Sequence, residues 1–263
     1  MGSGVTSVVI IGDPHATPSY DNERFRVLGK YIAETRPDVV VCMGDLGDMA
    51  SLSSHSKNRN ILEGRQVKAD FTSMREANAL LWGPTAELNE KAKANHKPRY
   101  SPQRYLCVGN HEDRIMRVAE ETPALTDWLL EEFAEACQPW TVVPFKQPLV
   151  IERVVFRHFK PNAMGRAVSS RDNLARSILN QGHCSQVVGH CHLLDFATTT
   201  TDLGERIFAM TPGCFMHPDH DETWSRGTDG PWWRGVVHLH GLRAGFFEHK
   251  VELSLASLTA TYG

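Results

Sequence analysis

Residues 5–15 read VTSVVIIGDPH, and residues 38–48 read DVVVCMGDLGD. Each is an apolar, β-branched run with no polar face that breaks off at a glycine and an acidic loop. An apolar run of this length without alternation predicts a strand buried on both sides, as in parallel sheets covered by helices. Between the two runs, residues 22–35 place Phe25, Leu28, Ile32 and Ala33 at helical spacing, and Pro37 closes the segment. Strand, helix and strand in this order predict a parallel pair within an α/β domain.

Outward from this unit, residues 51–98 turn polar and helix-favouring, with Leu62, Ala69, Met74, Ala77, Leu80, Leu81 and Leu88 at helical intervals. The spacing predicts a helical insertion between two strands, placed to serve as a lid. The sheet resumes over 105–108, and helical sequence follows through 124–137. The remainder is strand-rich, with runs at 140–144, 149–151, 154–159, 186–189, 194–200, 206–210, 235–240 and 246–253 and a helix near 171–180. The expected architecture is a single α/β domain over 1–263, with two packed mixed β-sheets flanked by helices. No internal repeat or low-complexity tract interrupts it.

The composition is that of an ordinary globular chain: 41% apolar, 22% charged and a net charge of −3 over 263 residues. That balance excludes a protein whose whole surface is a basic nucleic-acid platform. Cys42, Cys107, Cys137, Cys184, Cys191 and Cys214 form no CxxC pair, and most sit in apolar runs, so reduced cysteines and a cytoplasmic setting are expected. The sequence shows no secretion signal and no apolar stretch near the roughly 20 residues of a membrane span, so no membrane partner is expected.

Five polar clusters fall where expected strands end: Asp13-Pro-His15, Gly44-Asp45-Leu-Gly-Asp48, Gly109-Asn110-His111-Glu112, His158, and Gly189-His190-Cys-His192. Ligand crevices of open α/β sheets lie at the carboxyl ends of strands, so these clusters are expected to converge. Imidazole and carboxylate oxygen suit manganese, iron, zinc or nickel, and the absence of thiolates argues against a structural zinc site. Asp13 and His15 are two residues apart, as are His190 and His192. In extended backbone each pair would face one side.

The ordered set D-x-H, G-D-x-x-D, G-N-H-E, H and G-H-x-H resembles the calcineurin-like metallophosphoesterase superfamily, phage-encoded and bacterial members included. The resemblance runs from about Ile11 to His192, and five short motifs in order after strands are specific where one alone is weak. It implies two divalent transition-metal ions, manganese first among the choices. Asp13, His15 and His192 would hold one ion, and Asn110, His158 and His190 the other, with Asp45 shared. His183 is the alternative to His158, which Phe159 follows where the family often has glycine. His111 resembles the family's non-ligand histidine beside the phosphate, and Asp48 the carboxylate that orients it.

The implied activity is hydrolysis of phosphodiesters or phosphomonoesters by in-line attack of a metal-bridging hydroxide, with nucleotides or nucleic acid among the substrates. Alternatives are a nuclease subunit of a DNA-processing complex and a catalytically silent scaffold of the same fold. Arg114 is placed either to contact a phosphate or to pair with a helix carboxylate. His217, Asp219 and His220 stand in a loop that could line the cleft. Lys57, Arg59, Arg65 and Lys68 form either a positive rim that attracts phosphate substrates or, with Glu63, Asp70 and Glu76 interleaved, a solvated helix face, and the interleaving favours the latter. Trp224, Trp232 and Trp233 serve either packing or base stacking.

Overall fold

The computed structural model describes residues 6–53, 66–170, 173–220 and 230–263. Val5, Lys57, Arg59, Leu62, Glu63, Arg65, Arg171 and Trp224, which the sequence reading singled out, lie outside them.

The opening unit forms as expected: β1 (Thr6–Ile11), α1 (Glu23–Thr35) and β2 (Val39–Cys42), with β1 and β2 parallel and paired from Val8↔Val39 to Ile11↔Cys42. α2 (Val67–Ala94), β3 (Gln103–Cys107), α3 (Asp113–Glu121), α4 (Thr126–Ala136) and β4 (Thr141–Val143) follow. The single helical stretch expected up to residue 137 is two helices, because Pro123 cannot continue α3 and opens a short 3₁₀ turn before α4. Next come β5 (Leu149–Ile151), β6 (Val154–Arg157), α5 (Leu174–Gly182), β7 (Gln186–Val188), β8 (Leu194–Thr200), β9 (Arg206–Pro212), β10 (Gly235–Leu242) and β11 (His249–Ser254). A last helix, α6 (Leu255–Tyr262), was not expected from the sequence. Ser254 caps it by accepting the Ser257 N–H, and Leu255 and Leu258 bury its inner face.

Six strands form one sheet in the order β11-β10-β1-β2-β3-β4, and five form the other in the order β5-β6-β7-β9-β8. β1 to β4 run parallel, and β10 and β11 add antiparallel strands at one edge. Both sheets are mixed, since β6, β7 and β9 are parallel while β5 and β8 are antiparallel additions.

Side chains alternate across β1 and β2, which explains their uniformly apolar sequence. Val9, Ile11, Val40 and Cys42 face the helices, packing with Phe25, Leu28 and Ile32 of α1 and Phe71, Met74 and Leu81 of α2. Val8, Ile10, Val39 and Val41 face the second sheet, meeting Phe156, Val187, Phe208 and Met210. On that sheet's outer face, Val188 and Ala209 pack against Ile178 and Leu179 of α5. The layers are therefore helix, sheet, sheet, helix. The buried face of α2 ties most of the helical insertion into this body. Gly29 lets α1 approach closely, because a Cβ there would sit 2.3 Å from the Leu81 carbonyl oxygen.

Candidate metal centre

The polar clusters converge at the carboxyl ends of β1, β2, β3, β6 and β7. β1–β2 pairing continues beyond the strands: Met43 N–H donates to Ile11 O (2.8 Å), His15 N–H to Asp45 O (2.9 Å), Ala16 N–H to Leu46 O (2.7 Å) and Asp48 N–H to Ala16 O (2.9 Å). The loops carrying Asp13, His15 and Asp45 are thus fastened side by side. The extended backbone expected at the D-x-H and H-x-H pairs is absent. His15 (φ 47°), Asp45 (φ 51°), His190 (φ 71°) and His192 (φ 59°) are all left-handed, so a turn at each residue aims its side chain inward. Such turns are tolerated by His and Asp at a cost the surrounding structure must bear.

Two buried residues that the sequence reading left without a role hold these loops. Glu112 accepts three backbone N–H bonds, from Asp45 (3.0 Å) and Gly109 (2.8 Å) at Oε2 and from Gly47 (3.1 Å) at Oε1. Arg24 of α1 donates to Phe215 O (2.8 Å) and Pro14 O (3.0 Å), tying the β1 loop to the chain beyond β9. Glu112 was visible in the G-N-H-E motif. Arg24 carries no sequence signal, since it sits in an ordinary amphipathic helix. Gly109 is required for close approach, because a Cβ there would lie 2.1 Å from Asp45 Oδ1.

Asp45 stands at the middle. Its Oδ2 is 3.3 Å from His158 Nε2, 3.8 Å from His15 Nε2 and 3.9 Å from His111 Nε2. Asp13 lies 3.3 Å from His192 Nε2 and 3.8 Å from His158 Nδ1. Asn110 Oδ1 is 2.9 Å from His158 Nε2, and the His190 ring is 5.1 Å from that of His158. Among the described residues, the donor atoms of His15, Asp45 and His111 lie within 4.8 Å of one another, as do those of Asp45, His158 and His190. Asp45 belongs to both groups. His158 therefore stands in the cluster despite Phe159, whereas His183 caps the end of α5. His111 lies closer to Asp45 than a purely outlying histidine would. Asp48 accepts from its Nδ1 through the backbone carbonyl (2.6 Å) and the carboxylate (3.1 Å).

Arg114 makes no ion pair with a helix carboxylate among the described residues. It donates to Asp48 O (2.9 Å) and Met49 O (3.3 Å) and places Nη2 3.1 Å from His111 Nε2. His220 is buried with its ring 5.7 Å from that of His15, and His217 stacks on Tyr20 at 4.8 Å. Trp232 meets the His192 ring edge-on at 4.5 Å, while Trp233 packs beside the layer between the sheets. Asp70 and Glu76 are not merely solvated: Asp70 accepts from Ser51 and Glu76 from Asn22.

Burial opposes every charge here, and the neighbours decide the outcome. Asp45 is held well below the usual carboxylate range by His158 and His111, and Asp48 by His111 and His15. Asp13 is lowered by His192 and His158. In return, Asp45 and Asp13 push His158 up to about 10, and Asp45 and Asp48 push His111 up to about 9 against Arg114. Burial, together with His158, pulls His190 down to about 4. Neither oxygen of fully buried Asp13 completes a hydrogen bond. A buried carboxylate in that condition, facing imidazole nitrogens, fits a divalent cation.

The six cysteines are unpaired, and no helix among the described residues is long and apolar enough to cross a membrane. No curated protein matches the chain. Among solved structures it is similar to a conserved uncharacterized protein, a predicted phosphoesterase, from Streptococcus pneumoniae, at 11% identity and TM-score 0.33 over 95% of this chain and 97% of that one. It is also similar to a protein of Thermus thermophilus, TT1561, at 12% identity and TM-score 0.36 over 96% of this chain and 100% of that one. The family model described as calcineurin-like phosphoesterase matches residues 6–196, well over half the length, and the chain belongs to that family.

Proposed function

We propose that the protein is a dinuclear metal-dependent phosphoesterase that hydrolyses phosphodiesters or phosphomonoesters. The observation that carries this reading is Asp45, a buried carboxylate whose Oδ2 lies 3.3 Å from His158 Nε2 and 3.8 Å from His15 Nε2, one candidate ligand of each ion. Asp13, His15 and His192 would hold one divalent ion, and Asn110, His158 and His190 the second, with Asp45 shared. Manganese, iron, zinc or nickel suits that donor set. Two such cations activate water near neutral pH and neutralise charge on phosphoryl oxygens.

The remaining residues position and move protons. Asp48 accepts from His111 Nδ1, which fixes the ring and leaves Nε2 facing the cluster. Asp45 and Asp48 favour the protonated ring, and delivery of a proton from Nε2 to the leaving oxygen would require the 3.1 Å Arg114 Nη2 contact to open, because a guanidinium can only donate. Arg114 opposes this charge but anchors the Asp48 loop, which keeps the histidine and its acceptor in register. Glu112 and Arg24 hold the backbone on which Asp45 and His15 stand.

A panel of aryl phosphate monoesters, aryl diesters, cyclic nucleotides and single-stranded DNA, assayed with manganese-loaded protein, tests the reading. Turnover of at least one ester, abolished by chelation and by His192→Ala, is expected. No turnover of any ester by metal-loaded protein would overturn it.

A further inference from the structure

At the amino-terminal ends of the parallel strands, away from the metal centre, the ends of α1 and α2 enclose a cavity of about 200 Å³. Arg36, Lys91 and Lys97 line it together with Asn89, Asn95 and Tyr100, and no carboxylate does. Its floor is fixed. Tyr100 donates its hydroxyl to Pro37 O (2.7 Å), and Asn89 clasps the Tyr100 backbone through both ends of its amide, at 2.8 Å each.

Basic residues near a helix end commonly offset its free carbonyls. Here three of the last carbonyls of α2 are already engaged. Asn95 N–H and Nδ2 donate to Lys91 O, Lys97 N–H to Ala92 O and His96 N–H to Lys93 O. Asp38, two residues beyond Arg36, accepts from Ser7 N–H (2.8 Å). Among the described residues, Arg36, Lys91 and Lys97 make no ion pair. Three exposed cations therefore surround a concave, rigid floor in a chain whose net charge is −3. β2 (Val39–Cys42) runs between Arg36 at the cavity and the loop that carries Asp45.

We propose that this cavity is an oxyanion site for phosphate-bearing ligands, separate from the metal centre. A planar guanidinium and two ammonium groups match the tetrahedral oxygens of phosphate. A free phosphate compound and a polynucleotide backbone both carry that group, and the two differ in what else they bring.

The test uses the 263-residue chain stripped of metal, so that no metal ion competes for the phosphate, and the comparison with the variant subtracts any binding at the centre's own imidazoles. Pyrophosphate is titrated calorimetrically, and a fluorescein-labelled single-stranded 20-mer by anisotropy, against wild type and R36Q/K91Q/K97Q. All three side chains are exposed, and superimposable melting curves confirm the fold. We expect saturable binding of at least one probe, weakened tenfold or more in the variant, with turnover of a small aryl ester by metal-loaded protein unchanged. A backbone-binding site also lowers the salt slope for the 20-mer by about 2, from three lost contacts at ~0.7 each. Binding of pyrophosphate alone assigns the site to free phosphate compounds. Absence of binding to either probe, or equal affinities in wild type and variant, overturns the proposal, whatever the turnover assay shows.

Discussion

Replacing Glu112 tests whether the metal centre is built on backbone rather than on its own side chains. Glu112 is fully buried and accepts from the N–H groups of Asp45, Gly47 and Gly109. Glu112→Ala strands all three donors at about 1–3 kcal/mol each, a total of roughly 3–9 kcal/mol. That approaches the whole stability of a domain, about 5–15 kcal/mol, and the variant is expected to be insoluble. Glu112→Gln is the informative change. Its remaining carbonyl oxygen can serve Asp45 and Gly109, but its amide then points a donor at the Gly47 N–H. One charge-assisted bond is lost and one N–H stranded, for about 2–3 kcal/mol. At about 2–4 °C per kcal/mol for a chain of this size, Tm should fall by roughly 4–12 °C. Because the loop that carries Asp45 loses its tie at Gly47, manganese affinity should fall about 10–100-fold. Thermal melts of the metal-free proteins, with calorimetric manganese titration, read both effects. A Glu112→Gln protein that melts within about a degree of wild type and binds manganese equally well refutes the argument.

Further outcomes follow from the same geometry. Protein loaded with manganese and desalted should retain two ions per chain by elemental analysis; a value near one that Asp45→Ala leaves unchanged would sink the dinuclear reading. His111→Ala should keep both ions yet slow an ester with a poor leaving group on the order of 10²-fold, and p-nitrophenyl esters much less. A lost ion, or equal slowing of both, would make His111 a ligand. Gly109→Ala places a Cβ 2.1 Å from Asp45 Oδ1 and should cut metal content and turnover together; normal loading would show that Asp45 tolerates displacement. A ligand histidine must be neutral, and Asp45 and Asp13 raise His158 to about 10 without metal. Loading at pH 7 should therefore release about one proton per chain from His158, and affinity should rise with pH. Calorimetry in buffers of differing ionisation enthalpy checks this, and the absence of buffer dependence would contradict it.

The elements that local pattern determines were readable in the sequence. β1 and β2 are uniformly apolar because both faces are covered, and each polar cluster follows a strand because strand ends open on the crevice. What escaped depends on distant partners. β10 joins β1 across more than two hundred residues, and nothing in its sequence names that neighbour. α6 has weak helical patterning and gains its place from packing against α1 and β10. The spacing of His15 and His192 suggested extended backbone, whereas left-handed turns aim both rings. Such turns arise from loop-to-loop hydrogen bonding that no two-residue spacing encodes. Arg24 was unreadable for the same reason, since its acceptors are carbonyls contributed by remote loops.

The fastening of the β1 and β2 loops also governs where this chain can tolerate change in length. Ala16 N–H bonds Leu46 O, and Asp48 N–H bonds Ala16 O, so the two loops behave as a continuation of the sheet. One residue added between Asp13 and Ala16 would slip that register by a step and swing His15 out of the cluster. The turn at 201–204, at the tip between β8 and β9, carries no such coupling to the centre. A longer chain is accommodated at that tip without moving either of the two fastened loops.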